Sequence, residues 1–449
     1  MSYTGTGTPA VTTYRHNNPV EVLQDLIRFD TTNPPGGERA CMEWVCELLS
    51  AYDIEYETYA NDPDRPTVVA RIPGGNRDPL LLYGHVDVVP ASGDWTHPPF
   101  EGVIEDGCVW GRGAIDMKGG VAMFLTTFLR YATEDIDLPG DLVLCLIPDE
   151  EAGGDEGMGF MVDEHPEVFE DIEYSLGEFG GFTMEIQGEH FYPIQVNEKQ
   201  VCWLEVTITG QGGHGSMPSR GDAIARMGRF VTALDETRLP VHIDPTTITM
   251  IEAMRAELGP MERLLFRGLT SPRLTDRILD RMGEEGRKLD ALFHNIVNET
   301  IISGGNKENV IPDSVTMHLD CRLLPGQTPE DVIEEIETVV GDVADHVEFE
   351  LIRFDSGPPE PDMARFPVLA ETLESADPAG TVIPLLLAAT SDARHLSRVD
   401  VQSYGFTPMN LPADFPAMEL VHATDERIPV ECIEWGTERV YEAIPRMWA

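Results

Sequence analysis

Two apolar runs separated by a helical segment constrain the fold of this chain more than any other feature of its sequence. The runs cover residues 79–90 (PLLLYGHVDVVP) and 141–151 (DLVLCLIPDEE), and residues 117–132 between them have apolar residues at helical spacing. Short strands that alternate with helices predict an α/β sheet with mostly parallel strands. Within both runs, polar residues follow the apolar residues of the predicted strand, and the ends of strands are where open α/β sheets build their functional sites.

A change of pattern near residue 198 predicts a second, smaller α+β domain. Residues 201–210 alternate between apolar and polar like a half-buried strand. Residues 250–300 have helical patterns and are interpreted as an insertion within this domain. The remaining segments predict helix, strand, helix and strand, at residues 222–236, 316–324, 331–343 and 346–354.

The length of the chain also favours two domains. A single core rarely grows beyond about 250–300 residues, and this chain has 449. The Pro-rich linker at residues 355–362 returns the chain to the first domain. We therefore predict a first domain built from residues 1–197 and 357–449, with residues 198–356 inserted into it.

The charge balance excludes one class of function and suggests an environment. The chain has 79 acidic and 31 basic residues and a formal net charge of −48, so it is not expected to bind nucleic acid. Because the charged fraction of 24% is ordinary, the acidic excess comes from replaced cations, and such a surface is tolerable where salt screens it. We hypothesise a halophilic protein. An acidic surface in a cell without high salt is the alternative.

Nothing in the sequence predicts export or insertion into a membrane. No stretch approaches the roughly 18 consecutive apolar residues of a spanning helix, and the N-terminal residues lack a basic region followed by an apolar core. The seven cysteines are scattered without a CxxC pair, so we expect free thiols. We predict a cytoplasmic protein without a membrane partner.

Three polar residues near the first apolar run have the chemistry of metal ligands. His85 and Asp87 follow a strand, where an imidazole could bind metal while the carboxylate holds its other nitrogen. Asp116 lies in a glycine-rich turn that opens a helix, where it could bind one metal or bridge two. A structural histidine and a helix-capping aspartate are the alternatives.

Four more candidates follow later in the chain. Glu150 and Glu151 are adjacent at the end of the second run, after the apolar residues of its strand, so one could bind metal while the other accepts a proton from the attacking water. Glu178 and His422 lie among glycine and small residues. Glu178 and His422 are each uninformative alone. Together with the preceding histidine and carboxylate candidates, they form the oxygen and nitrogen ligand set expected of zinc or a similar divalent ion.

The sequence resembles the M20 metallopeptidases and deacylases. The motifs that carry the resemblance run in the family's order across nearly the whole chain: GHVDVVP, DWTHPPFEG, GRGAIDMKGG, PDEEAGG, GEFGG, GQGGHGSMP, NVIPD, CRLLPG, TSDAR and HATDE. The resemblance implies a mixed, mostly parallel sheet with flanking helices, as in zinc peptidases. It also makes residues 198–356 a ferredoxin-like lid or dimerisation domain.

The resemblance assigns roles to these candidates. Asp87 would orient one histidine ligand, and Glu150 would be the general base that takes the proton of a metal-bridging water. The implied cofactors are two divalent ions, zinc or cobalt. Asp116 would bridge them, with His85 and Glu178 completing one site and Glu151 and His422 the other.

Residues of the inserted domain are implied in substrate binding and assembly. The family forms dimers in which His214 would reach the partner's site and stabilise the oxyanion; capping the next helix is the alternative. Asn309 and Arg322 would hold the substrate, with a structural ion pair as the alternative for Arg322. Arg394 is a further candidate for substrate binding.

The predicted reaction is hydrolysis of an amide bond in a small carboxylate-bearing substrate, a dipeptide or an N-acyl amino acid. A catalytically silent binding protein of the same fold is the alternative. The family also has a cis peptide after its bridging aspartate, here between Asp116 and Met117. Phe179, where the family often has proline, and the insertion at 250–300 depart from the family's pattern and leave the substrate open.

Overall fold

The computed structural model describes residues 15–134, 136–186, 188–357 and 360–449. The chain divides into two compact units. Unit 1 comprises Met1–Val196, Asp362–Pro384 and Ser391–Ala449, and unit 2 comprises Asn197–Pro361 and Leu385–Thr390. Residues 358 and 359 of the predicted linker lie outside the described residues.

The elements follow one another in three stretches of chain. Up to residue 198 the helices are α1 (Pro19–Ile27), α2 (Arg39–Ala51), α3 (Lys118–Thr133) and α4 (Met158–Glu164). The strands of this stretch are β1 (Tyr56–Tyr59), β2 (Thr67–Ile72), β3 (Arg77–His85), β4 (Val103–Glu105), β5 (Cys108–Trp110), β6 (Gly140–Ile147), β7 (Tyr174–Gly177), β8 (Met184–Ile186) and β9 (Glu189–Glu198).

The middle stretch begins at residue 200. Its helices are α5 (Ala223–Glu236), α6 (Pro245–Glu257), α7 (Pro260–Leu269), α8 (Thr275–Met282), α9 (Glu284–Asp290) and α10 (Pro329–Val340). Its strands are β10 (Gln200–Thr209), β11 (Gly213–His214), β12 (Ile296–Gly304), β13 (Val310–Ile311), β14 (Ser314–Leu323) and β15 (Val347–Asp355). The last stretch forms α11 (Phe366–Ala376), α12 (Ala393–Leu396), α13 (Ala417–Leu420) and α14 (Val430–Arg446), with strands β16 (Gly380–Leu387), β17 (Gln402–Gly405) and β18 (Arg427–Pro429).

Unit 1 is built on a six-stranded sheet of order β1-β2-β6-β3-β7-β17. The pairs β3 with β6, β3 with β7 and β7 with β17 are parallel, while β1 with β2 and β2 with β6 are antiparallel. Leu80 and Leu82 of β3 belong to the core on one face, and Leu81 and Tyr83 belong to the core on the other. Burial of both faces explains why this strand is apolar without alternation. The mixed, mostly parallel sheet confirms the predicted α/β class.

Unit 2 contains an antiparallel sheet of order β12-β14-β10-β15. Side chains from β10 and β14 share one core with those of helices α5 and α10. Strand β12 was not predicted, because residues 250–300 were interpreted as helical. The helices α6 to α9 end at residue 290, and Ile296–Gly304 instead pairs with β14. Among the helices in the described part of the chain, none is long and apolar enough to span a bilayer.

Candidate metal centre

Three parallel strands bring candidate ligands to one edge of the sheet in unit 1. His85 is the last residue of β3, Glu150 follows β6 by three residues, and Glu178 follows β7 directly. Carboxyl ends of neighbouring parallel strands lie at the same edge. Asp116 precedes α3 and is joined to Met117 by the cis peptide bond that the resemblance implies. His422 lies in the loop between α13 and β18.

The first group of side chains surrounds the Nε2 atom of His85. This atom lies 3.3 Å from Oδ1 of Asp116, 3.3 Å from Oε2 of Glu178 and 3.9 Å from Oε2 of Glu150. The His85 side chain is buried, and its Nε2 makes no hydrogen bond to any residue that the structure describes. Its Nδ1 lies 3.0 Å from the carbonyl oxygen of Asp87. A proton on Nδ1 would donate to that oxygen and leave Nε2 free to bind a cation.

The second group surrounds the Nε2 atom of His422. This atom lies 3.2 Å from Oδ2 of Asp116 and 3.2 Å from Oε2 of Glu151. The other oxygen of Glu151, Oε1, is buried and has no hydrogen-bond partner among the described residues. The two oxygens of Asp116 therefore face one histidine each. Asp116 lies between the two groups.

The electrostatics of both groups favour positive charge on the imidazoles. Hydrogen bonds to Asp116 and Glu151 raise the pKa of His422 to about 10. Burial lowers the pKa of His85, but Asp116, Asp87 and Glu178 outweigh it and raise that pKa well above its ordinary value. A divalent cation satisfies the same carboxylates and displaces the protons. The oxygen and nitrogen donors, with their buried unpaired atoms, thus fit divalent metal ions.

Glu150 belongs geometrically to the first group. A ligand atom from each of His85, Glu150 and Glu178 lies within 4.8 Å of the others, and the same holds for Asp116, Glu151 and His422. Burial and the neighbouring Glu178 raise the pKa of Glu150 well above its ordinary value. The distances alone do not separate a base from a ligand at this position. The role of Glu150 as base stays a prediction.

Asp87 has more partners than the sequence indicated. It is fully buried, and its carboxylate Oδ1 lies 3.5 Å from Nδ1 of His85. Its two oxygens also accept hydrogen bonds from the backbone N–H groups of Glu150 and Glu151, each at 3.1 Å. The amide of Asn33 donates a further bond to it at 2.9 Å. The buried carboxylate therefore holds the backbone of the two adjacent glutamates, while the backbone carbonyl of Asp87 is the nearer partner of the His85 Nδ1 atom.

A buried hydrogen-bond network adjoins the turn that contains Glu150 and Glu151, and the sequence did not predict it. Asp149 has a φ of 75° and accepts hydrogen bonds from Arg65 at 2.7 Å and Asn33 at 3.1 Å. Arg65 in turn donates to both oxygens of Glu38, at 2.9 and 3.1 Å. An isolated arginine in the acidic stretch NDPDRPT was the only available signal for this network.

A second buried pair was also missed. Glu426 and Arg112 are both buried, and Nη1 of Arg112 lies 2.7 Å from Oε2 of Glu426. Arg112 lies in the motif GRGAIDMKGG and Glu426 lies in the motif HATDE. In these motifs the sequence predicts only Asp116 and His422 as functional residues.

The structure overturns two of the alternative interpretations. The N-cap position of helix α3 is Met117, and no side chain in the described part of the chain caps this helix, so Asp116 does not cap it. Helix α5 is capped by Asp222, whose carboxylate accepts a hydrogen bond from Ala225 N at 2.9 Å, so His214 does not cap it. His214 is exposed in unit 2, with its Nδ1 2.8 Å from Oγ of Ser216. Its proposed action in a partner's site stays a prediction.

The predicted substrate-binding residues have partners within the chain. Arg322 in unit 2 donates to both oxygens of Asp320, at 2.8 and 3.0 Å, so the ion pair considered as its alternative is present. Asn309 is exposed, and its carbonyl accepts a hydrogen bond from Gly215 N at 2.9 Å. Arg394 in unit 1 is buried and donates to two backbone carbonyls at 2.6 and 2.7 Å. Their roles toward substrate stay predictions.

Comparison with known protein families agrees with this site. The model of peptidase family M20/M25/M40 matches residues 81–446. The chain belongs to this family and is a metallohydrolase.

Relatives of known name include peptidases and acyl-amino acid hydrolases. A protein of Dictyostelium discoideum named "Probable carboxypeptidase S-like 2" is 29% identical over 369 residues, which are 79% of this chain and 68% of that protein. An N-fatty-acyl-amino acid synthase/hydrolase of Mus musculus is 28% identical over 421 residues, 89% of this chain and 77% of that protein.

Solved structures share the fold. An M20 family metallo-carboxypeptidase from Sulfolobus solfataricus superimposes with a TM-score of 0.67 at 17% identity, covering 96% of this chain and 99% of that one. A dinuclear metal binding peptidase of the M20 family from Bacillus subtilis gives a TM-score of 0.59 at 14% identity, covering 97% and 98%. At these identities the likeness concerns the fold.

Proposed function

We propose that this chain is a two-metal hydrolase that cleaves the amide bond of a dipeptide or an N-acyl amino acid. The observation that carries the proposal is the placement of Asp116, whose two carboxylate oxygens face His85 and His422 at 3.3 and 3.2 Å. A single carboxylate in that position can serve two metal ions at once. Zinc is the proposed metal, and cobalt is the alternative.

Each metal position would draw one histidine and one glutamate from unit 1. His85 and Glu178 would hold one ion at the edge of the sheet, and Glu151 and His422 would hold the other. Asp116 is the ligand that both positions would share. Bound divalent ions lower the pKa of the attacking water and polarise the scissile carbonyl.

Glu150 is the proposed general base. Its carboxylate lies 3.9 Å from the Nε2 atom of His85, farther than the carboxylates of Asp116 and Glu178, which both lie at 3.3 Å. Its raised pKa suits a group that accepts the proton of the attacking water and returns it to the leaving nitrogen. Asp87 would keep this carboxylate in place through the backbone N–H of Glu150.

Other features of the proposal rest on the family resemblance. Unit 2 would be the lid or dimerisation domain of a cytoplasmic homodimer, and His214 would stabilise the oxyanion in the partner's site. Asn309 and Arg322 would bind the substrate carboxylate, with Arg394 as a further candidate. The two relatives named above suggest carboxypeptidase and acyl-amino acid substrates, so both classes enter the test.

The first experiment measures metal content and hydrolysis on protein purified in high salt. We expect about two zinc or cobalt ions per chain and turnover of either a dipeptide panel or a panel of N-acyl amino acids with short and long acyl chains. A metal-replete protein that binds these compounds without cleaving them would instead support the silent binding protein. Which panel is cleaved decides between peptidase and deacylase.

The role of Glu150 is tested by the substitution Glu150→Gln. We expect loss of turnover with nearly unchanged metal content, because the amide cannot accept the proton. Glu164→Gln is the matched control, since Glu164 is an exposed glutamate at the end of α4. Retained turnover in Glu150→Gln would show that Glu150 is not the general base, and loss of metal would show that Glu150 is a metal ligand.

A further inference from the structure

The buried carboxylate of Glu426 holds the backbone that leads to Asp116. Glu426 is fully buried, and its oxygens accept hydrogen bonds from the N–H groups of Gly113 at 2.9 Å, Ile115 at 2.8 Å and Asp116 at 3.2 Å. Three backbone donors that converge on one carboxylate fix the path of the segment between them. The direction of the Asp116 side chain follows from that path.

Arg112 connects the same carboxylate to the loop of His422. Its Nη1 donates to Glu426 at 2.7 Å, and its Nη2 donates to the carbonyl oxygen of His422 at 3.2 Å. His422 has a φ of 61°, in the left-handed region that costs energy for a residue with a side chain. The hydrogen bond from Arg112 therefore holds a backbone conformation that His422 would not keep by itself.

We propose that Arg112 and Glu426 are positioning residues for the metal centre, and we call this pair the clasp. The proposal rests on the metal centre proposed above and adds an asymmetry to it. The clasp positions two of the three ligands of the second metal position, Asp116 and His422. It reaches the first position only through the shared Asp116.

Asp87 provides the contrast. Within the described part of the chain it bonds to Asn33 and to the backbone of Glu150 and Glu151 and lies beside His85, and none of these hydrogen bonds goes to the clasp. The centre therefore has two separate buried supports, one for the ligands near the sheet edge and one for Asp116 and His422. Loss of the clasp should weaken the two metal positions unequally.

The test uses the metal alone and needs no substrate. Protein freed of metal with a chelator is titrated with Co²⁺, and both binding steps are followed by visible absorption and by competition with a chelating dye. The variant His422→Ala identifies which step belongs to the second position, because that step is lost with its histidine. The ratio of each variant's constants to those of the unsubstituted protein is the quantity measured.

Glu426→Gln should weaken both steps, by about 10–100-fold, with the larger loss in the second position. Arg112→Lys keeps a positive charge beside Glu426 but cannot reach both of its partners with one ammonium group. This substitution should weaken Co²⁺ binding at the second position by about tenfold and change binding at the first position by no more than about twofold. This variant carries the test if Glu426→Gln does not fold.

Asp25→Asn is the matched control for loss of a buried ion pair. Asp25 is a buried carboxylate of α1 in unit 1 that lies 2.6 Å from Arg15. This variant should lose stability and keep both binding constants. The clasp is refuted if Arg112→Lys weakens both positions equally, or if Glu426→Gln binds Co²⁺ no more weakly than Asp25→Asn. An unsubstituted protein that binds no Co²⁺ would refute the metal centre itself.

Discussion

Two neighbouring ion pairs in unit 1 allow the energetic cost of burial to be measured directly. Glu38 and Arg65 are buried and 2.9 Å apart, with side-chain exposures of 0% and 10%. Arg39 and Asp64 are the adjacent residues in the chain, 2.8 Å apart, with exposures of 45% and 74%. Both pairs join an arginine to a carboxylate at neighbouring positions in the chain. They differ in contact with water, and Arg65 also pairs with a second carboxylate, that of Asp149.

The expected cost of each substitution follows from the partners that remain. Arg65→Met leaves the carboxylates of Glu38 and Asp149 buried without their cation, which should cost about 3–5 kcal/mol of unfolding free energy. Glu38→Gln should lower the unfolding free energy by less, about 1.5–3 kcal/mol, because Arg65 still pairs with the carboxylate of Asp149. Arg39→Met should cost at most about 1 kcal/mol, because water and salt screen the exposed pair.

The assay is urea denaturation at one fixed, high KCl concentration, with the transition followed by circular dichroism. Arg39→Met serves as the control because it makes the same substitution in the neighbouring, exposed ion pair. A double-mutant cycle between Glu38→Gln and Arg65→Met should give a larger coupling energy than the cycle between Arg39→Met and Asp64→Asn. Equal costs for Arg65→Met and Arg39→Met would refute the reasoning that burial makes the inner pair decisive.

Two further predictions concern protons and salt. Because the pKa of His422 is raised to about 10, its imidazole is protonated at about pH 8 without metal; metal binding should therefore release at least one proton, and affinity should rise with pH. Calorimetry in two buffers of different ionisation enthalpy measures the release, and absence of proton release would contradict the raised pKa. The urea midpoint should rise as KCl increases from about 0.1 to 1 M, since the Debye length then falls from about 10 to 3 Å and the net charge of −48 repels itself less; full stability and activity in dilute buffer would count against salt adaptation.

The sequence predicted those parts of the fold and site that depend on local pattern. Helix α3, strand β3 and strand β6 lie within a few residues of their predicted positions because their apolar residues recur at helical spacing or in short runs. His85 and Glu150 could be chosen because they follow strand ends. Their approach in space follows from the parallel order of β3 and β6, which the alternation of strands and helices indicates.

The supports of the site could not be predicted in the same way. Arg112 and Glu426 are 314 positions apart in the chain, and Arg65 and Asp149 are 84 positions apart. No periodicity relates residues at such distances, and in so acidic a chain a single glutamate carries little information. Strand β12 was missed for a different reason: residues 250–300 were interpreted as one helical insertion, although Ile296–Gly304 is rich in the β-branched residues that favour strands.

The scarcity of cations makes their placement informative. Lys118 and Lys199, two of the four lysines, are fully buried, so the surface is even poorer in lysine than the composition suggests. Lys118 donates to the carbonyl of Phe29 at 2.8 Å, and Arg65 and Arg112 neutralise buried carboxylates behind the proposed ligands. Salt screens buried pairs far less than exposed charges. Salt should therefore act mainly through the acidic surface, and the buried pairs behind the proposed ligands should depend on salt much less than the exposed charges do.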